Sequence, residues 1–155
     1  MDKDTTDDKA NGRYKFFEKT ADAKFQAYGA TLEEAFKNAQ EAMMSVMYDI
    51  EKLLDNDFDE QHREIIVEGT NNEALLYNFL EEIIFLMNAE FFIGVIDRIQ
   101  IIHKDEVLKL KAILHGTQSI NLESHGEIKA VTYNEMFVKL DEDTGKYSVQ
   151  VVVDL

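Results

Sequence analysis

Twice in this chain a capping-box spacing opens a long apolar stripe. Thr31-Leu32-Glu33-Glu34 is the first. A Thr31 hydroxyl can accept from the Glu34 amide while the Glu34 carboxylate reaches back to the Thr31 amide. Leu32, Ala35, Phe36, Ala39, Met43, Val46, Met47 and Ile50 then recur at three- and four-residue steps. That spacing predicts one apolar helix face from about 31 to 47–54. Thr70-Asn71-Asn72-Glu73 repeats the signal, and Leu75, Leu76, Phe79, Leu80, Ile83, Ile84, Phe85 and Met87 follow it. A stripe this wide, over about 72–89, predicts a helix buried against a sheet.

The rest of the chain carries the pattern of strands. Segments 13–17, 24–28, 63–68, 93–103, 106–115, 128–140 and 146–154 are rich in β-branched and aromatic residues or alternate with a period of two. Asp143-Thr144-Gly145 marks a hairpin between the last two. The order of strands, helix, strand, helix and four strands predicts an α+β domain: one largely antiparallel sheet with two helices on one face. The run Val149-Gln150-Val151-Val152-Val153 is apolar enough to belong in the middle of that sheet. Residues 1–12 read as a flexible acidic tail. Residues 13–155 read as one domain, a span long enough to bury a substantial core.

Composition excludes several chemistries. The 155 residues include no Cys, which removes disulfides, thiolate metal sites and cysteine nucleophiles. There are 31 Asp and Glu against 16 Lys and Arg, a formal charge of −15. Such a chain lacks the basic footprint of a general nucleic-acid binder and is repelled by anionic membranes. It attracts divalent cations and basic protein surfaces. The N-terminus has no signal-peptide pattern, and no apolar run reaches the roughly 18 residues of a membrane span. The expectation is a soluble cytoplasmic protein.

Candidate chemistry is sparse. Asp55, Asp57 and Asp59 have the alternate spacing of a calcium loop, but Glu60 stands where the turn needs Gly and Ile66 where the loop needs Glu. A solvated acidic loop is the better reading. Met43, Met44 and Met47 fit core packing better than a pliable groove. His62, His103, His115 and His125 show no spacing that places two on one helix face; His103 and His115 could pair across a sheet, but a structural or exposed role is the better reading of each. No His-Glu-x-x-His, phosphate-loop or Gly-x-Ser-x-Gly motif is present, which lowers the prospect of a self-contained enzyme. Asp22 lies in the link between the first two strands, and Asp154 is followed only by Leu155. If these segments meet, two side-chain carboxylates and the α-carboxylate converge as ligands for a hard cation. Otherwise Asp154 simply ends a strand and the terminus is solvated.

The ordered segments resemble the archease family. They are Phe16-Phe17-Glu18-Lys19-Thr20-Ala21-Asp22, Ala27 to Ala39, Val67-Glu68-Gly69 with Glu73 to Glu82, Ile128 to Tyr133, and Val152-Val153-Asp154-Leu155. The resemblance implies a divalent-metal site, commonly for Ca²⁺ with Mg²⁺ or Mn²⁺ as alternatives, formed by Asp22, Asp154 and Leu155. It marks Lys129 as a further functional residue. It implies a non-catalytic activator of the RtcB-type tRNA-splicing ligase, one that promotes ligase guanylylation and multiple turnover without holding RNA itself. Lys19 and Asn134 stand where the family pattern has histidines. A small metal-dependent hydrolase and a general acidic chaperone or calcium-binding module are the rival readings.

Overall fold

The computed structural model describes residues 11–18, 21–55 and 60–155. Most of the expected acidic tail and residues 56–59 of the acidic loop lie outside the described residues. The elements are β1 (Tyr14–Phe17), β2 (Asp22–Gly29), α1 (Leu32–Ser45), α2 (Ile50–Asp55), β3 (Gln61–Gly69), α3 (Asn72–Glu90), β4 (Phe92–Lys104), β5 (Val107–Gln118), β6 (Ala130–Asp141) and β7 (Lys146–Asp154).

The architecture is α+β, and every strand pairing is antiparallel. The strands divide into two sheets where the sequence predicts one. A four-stranded sheet has the order β1-β2-β7-β6, and a three-stranded sheet has the order β3-β5-β4. Alternation identifies a strand but carries no information about its partner, so this division has no signature in the hydrophobic pattern. Both long helices touch both sheets. Helix α1 packs on β2, β7 and β4, and α3 packs on β3, β6, β4 and β5. They meet through Phe36 and Phe79, whose rings stack with centroids 6.1 Å apart.

The two strand-to-helix junctions are built alike. In the first, Gly29 ends β2, Thr31 caps α1 by accepting from the Glu34 amide at 3.1 Å, and Asn38 donates back to the Tyr28 carbonyl at 2.7 Å. In the second, Gly69 ends β3, Asn71 caps α3 by accepting from the Ala74 amide at 2.8 Å, and Asn78 donates to the Glu68 carbonyl at 2.8 Å. The second cap falls one residue after the Thr70 that the spacing suggests; Asn is at least as good an N-cap as Thr. At each glycine the helix backbone approaches so closely that a β-carbon would overlap it: Ala35 N at Gly29 and Leu75 N at Gly69.

The first helix stops sooner than its apolar stripe. The Val46 amide bonds to Met43 and Met44 carbonyls, and the Ser45 hydroxyl donates to the Ala42 carbonyl at 2.6 Å. Such back-bonding competes with the regular ladder. The Met47 carbonyl is instead taken by the His125 amide at 2.7 Å, and the chain restarts as α2. Met43 and Met44 are fully buried, as core packing requires. Phe85, by contrast, lies on the outer side of α3 at 54 % exposure, so the buried stripe is narrower than the sequence suggests.

Candidate metal centre at the Asp22–Asp154 strand pair

Strand β7 runs through the middle of the four-stranded sheet, between β2 and β6. Its valines 149, 151, 152 and 153 are all fully buried. This central position brings three chain segments together at one end of the sheet. Asp22 is the first residue of β2 rather than part of a link, because the β2–β7 ladder continues two residues beyond Lys24. It pairs directly with Asp154. On the other side of β7, Ala130 pairs with Asp154, and the Lys129 amide donates to the Asp154 carbonyl at 2.8 Å.

Directly opposed residues of an antiparallel pair share one face, with β-carbons about 4.5–5.5 Å apart. Asp22 and Asp154 therefore present two carboxylates on one face at the sheet end. Like charges so placed destabilise the pairing unless something positive offsets them. Asp22 is half-buried, whereas Asp154, Leu155 and Lys129 are exposed. Ala21, immediately before Asp22, has φ 61°, in the left-handed region that an L-residue avoids. Backbone of this kind concentrates where a side chain must be aimed.

All-oxygen donors suit a hard cation such as Ca²⁺, Mg²⁺ or Mn²⁺. Among the described residues, no three His, Asp or Glu side chains are gathered as a metal cluster. The two aspartates would supply two side-chain donors to such a cation. The donor chemistry fits the cation that the family resemblance implies.

Beside this pair, β6 departs from regular pairing in a way no sequence signal shows. Thr132 pairs with Val152, but the next paired residue, Phe137, faces Gln150, so residues 133–136 bulge out. Glu135 sits at φ 56° in this bulge. Its carboxylate meets the buried Lys24 ammonium at 3.1 Å, and its carbonyl accepts from Gln150 Nε2 at 2.7 Å. A polar chain continues from Gln26 Nε2 to Gln150 Oε1 at 2.8 Å and from the Tyr28 hydroxyl to Gln26 Oε1 at 2.9 Å. This network ties the bulge to β2 and β7 and runs along the ladder away from the Asp22–Asp154 pair.

The exposed Tyr133 ring of the bulge stacks on Tyr77 of α3, centroids 4.2 Å apart and nearly parallel at 9°. Glu81 of the same helix accepts from the Val131 amide at 3.2 Å, satisfying a donor on the sheet's edge strand. Burial pushes the Tyr77 phenol above its ordinary value. The Glu81 carboxylate, Tyr133 and a hydrogen bond to Glu81 push it the same way.

The sequence from residue 14 to 155 matches the Archease protein family (MTH1598/TM1083). The chain belongs to the archease family. It is 37 % identical over 147 residues to the archease of Methanosarcina mazei, covering 92 % of this chain and 96 % of that one. It is 38 % identical over 143 residues to the archease of Methanothermobacter thermautotrophicus, covering 92 % and 98 %. The solution structure of Methanobacterium thermoautotrophicum protein 1598 superposes with a TM-score of 0.79 at 36 % identity, covering 93 % of this chain and 99 % of the other. The two long helices on antiparallel strands are thus the archease fold. Asn134, at the position where the resemblance leads to the expectation of a histidine, falls inside the β6 bulge, one residue from Glu135. Lys19, the other departure, lies outside the described residues.

No helix among the described residues is long and apolar enough to cross a membrane. The possible His103–His115 pairing is not formed. His103 pairs with Leu108, and it is His62 that faces His115 across the β3–β5 ladder.

Proposed function

We propose that this archease is a non-catalytic, metal-binding activator of an RtcB-type tRNA-splicing ligase, acting in the cytoplasm. The observation that carries the proposal is the direct pairing of Asp22 with Asp154 at the open end of the central strand. Two carboxylates opposed in this way suit a hard divalent cation, with Leu155 next in the chain as the further ligand the resemblance implies; the resemblance favours Ca²⁺, with Mg²⁺ and Mn²⁺ as alternatives. When bound, the cation supplies positive charge that can offset phosphate charge at a nucleotide site on the ligase.

The chain's own residues have separate roles in this account. Ala21 fixes the direction in which Asp22 enters the sheet. The Lys129 amide holds the Asp154 carbonyl, so its side chain starts from a fixed point beside the aspartates and can meet an anionic group of the partner. The polar chain from Tyr28 to Glu135 and the Tyr77–Tyr133 stack keep the β6 bulge in place on the same sheet. With a charge of −15, the protein acts on the ligase rather than on RNA. The absence of a nucleophile motif accords with a helper whose chemistry is performed by the ligase. The test is tRNA ligation with substrate in large excess over the ligase. Added archease is expected to convert a single round into many and to raise the guanylylated fraction of the ligase. Turnover that is the same with and without archease would overturn the proposal.

A further inference from the structure

The three-stranded sheet carries a second group of metal-capable side chains, none used by the function proposed above. His62 and His115 are direct partners in the β3–β5 ladder, so both imidazoles rise from one face. Strand β4 completes the group by an irregularity. It pairs in register through Ile96 and resumes at Arg98, leaving Asp97 as the extra residue of a β-bulge. Bulges re-aim side chains. Here the Asp97 carboxylate lies against His115 Nδ1. On the far side, the Glu60 carboxylate lies 3.9 Å from His62 Nε2.

This is the chemistry of a prepared imidazole ligand. A carboxylate on Nδ1–H fixes the tautomer and leaves the Nε2 lone pair for a cation, the arrangement found behind many metal-bound histidines. His62 and Glu60 are more than half exposed and can turn, whereas His115 is held. Among the described residues no three such side chains are already gathered, so a cation here would be held by the two register-paired histidines, with Glu60 or water closing the shell. Imidazole selects borderline transition metals over Ca²⁺, which prefers oxygen.

We propose that His62 and His115 form a second cation site, for a divalent transition metal of the Zn²⁺ class, with Asp97 as its positioning residue and Glu60 as the nearest additional donor. The site lies on a different sheet from Asp22 and Asp154 and does not depend on their role.

The test titrates metal-stripped full-length protein with Zn²⁺ alone, and separately with Ca²⁺ alone, by calorimetry. His62→Gln and His115→Gln are each expected to weaken Zn²⁺ binding by about tenfold or more and to leave Ca²⁺ binding unchanged. Asp97→Asn is expected to weaken Zn²⁺ binding roughly 10–100-fold and to change the His115 tautomer seen in long-range ¹H–¹⁵N spectra, a readout that mere loss of stability would not move. Unchanged Zn²⁺ affinity in His62→Gln, an exposed position that leaves the core intact, would overturn the proposal. So would Zn²⁺ binding that is lost in Asp22→Asn or Asp154→Asn and retained in both histidine variants.

Discussion

Asp22 and Asp154 face each other across the β2–β7 ladder, so the end of the central strand carries two like charges on one face. In the absence of a cation, that pairing opposes folding. Asp22→Asn and Asp154→Asn are therefore each expected to stabilise the protein in chelator, by roughly 0.2–1 kcal/mol. On the proposed metal site, Ca²⁺ is expected to raise the parent's melting temperature by binding only the folded state, and the same variants are expected to lose that rise. Thermal melts with and without Ca²⁺ separate the two effects. Destabilisation of both variants in chelator would contradict the like-charge account.

The two β–Gly–helix junctions predict a matched pair of packing effects. Gly69→Ala places a β-carbon 2.5 Å from the Leu75 amide nitrogen, where backbone must move to accept it. A loss of about 1–3 kcal/mol is expected, with a comparable loss for Gly29→Ala. The two asparagines differ. Asn38 is buried and Asn78 exposed, so Asn38→Ala is expected to cost more than Asn78→Ala, whose freed carbonyl can reach water. Urea denaturation of the four variants checks both statements.

The turn joining β4 to β5 stores local strain. Asp105 and Glu106, between the paired residues Lys104 and Val107, have φ 53° and 67°. Hairpin turns of this hand favour glycine at the second position. Glu106→Gly is expected to raise stability by about 1 kcal/mol without changing metal affinity. Equal or lower stability in urea would count against the turn assignment.

Much of this fold was legible in the residues. Thr31 caps α1 as its spacing predicts, and the valines before Asp154 place β7 in the middle of its sheet. What stayed hidden depends on pairing and on single extra residues. Nothing in the alternation of 93–103 distinguishes the bulged Asp97 from its neighbours, so the choice of His62 over His103 as the partner of His115 could not be made. The bulge at 133–136 is equally silent, and with it the Lys24–Glu135 pair. Asp22 and Asp154 were visible as carboxylates near two segment ends; only the ladder shows that they are partners.

Alkaline conditions test the helix–bulge contact. The Tyr77 phenol is raised in the folded state from 10.0, first by burial and then by Glu81 and Tyr133. For an acid whose folded pKa is raised, stability is fully present below the unfolded value and is lost as pH rises through the folded one. Melting temperature is therefore expected to fall above about pH 10, and Tyr77→Phe is expected to reduce that fall. Tyr133→Leu, which removes the stack, is expected to cost about 0.5–1.5 kcal/mol. An alkaline profile identical in Tyr77→Phe and the parent would remove the assigned role of this phenol.

On the function proposed above, the Asp22–Asp154 pair makes this archease an activator of an RNA ligase. The most direct measurement is the number of ligation rounds per ligase molecule in Ca²⁺-containing buffer, with parent archease and with the folded double variant Asp22→Asn/Asp154→Asn. Many rounds are expected with the parent and about one with the double variant. Parent-level turnover from the double variant would contradict it.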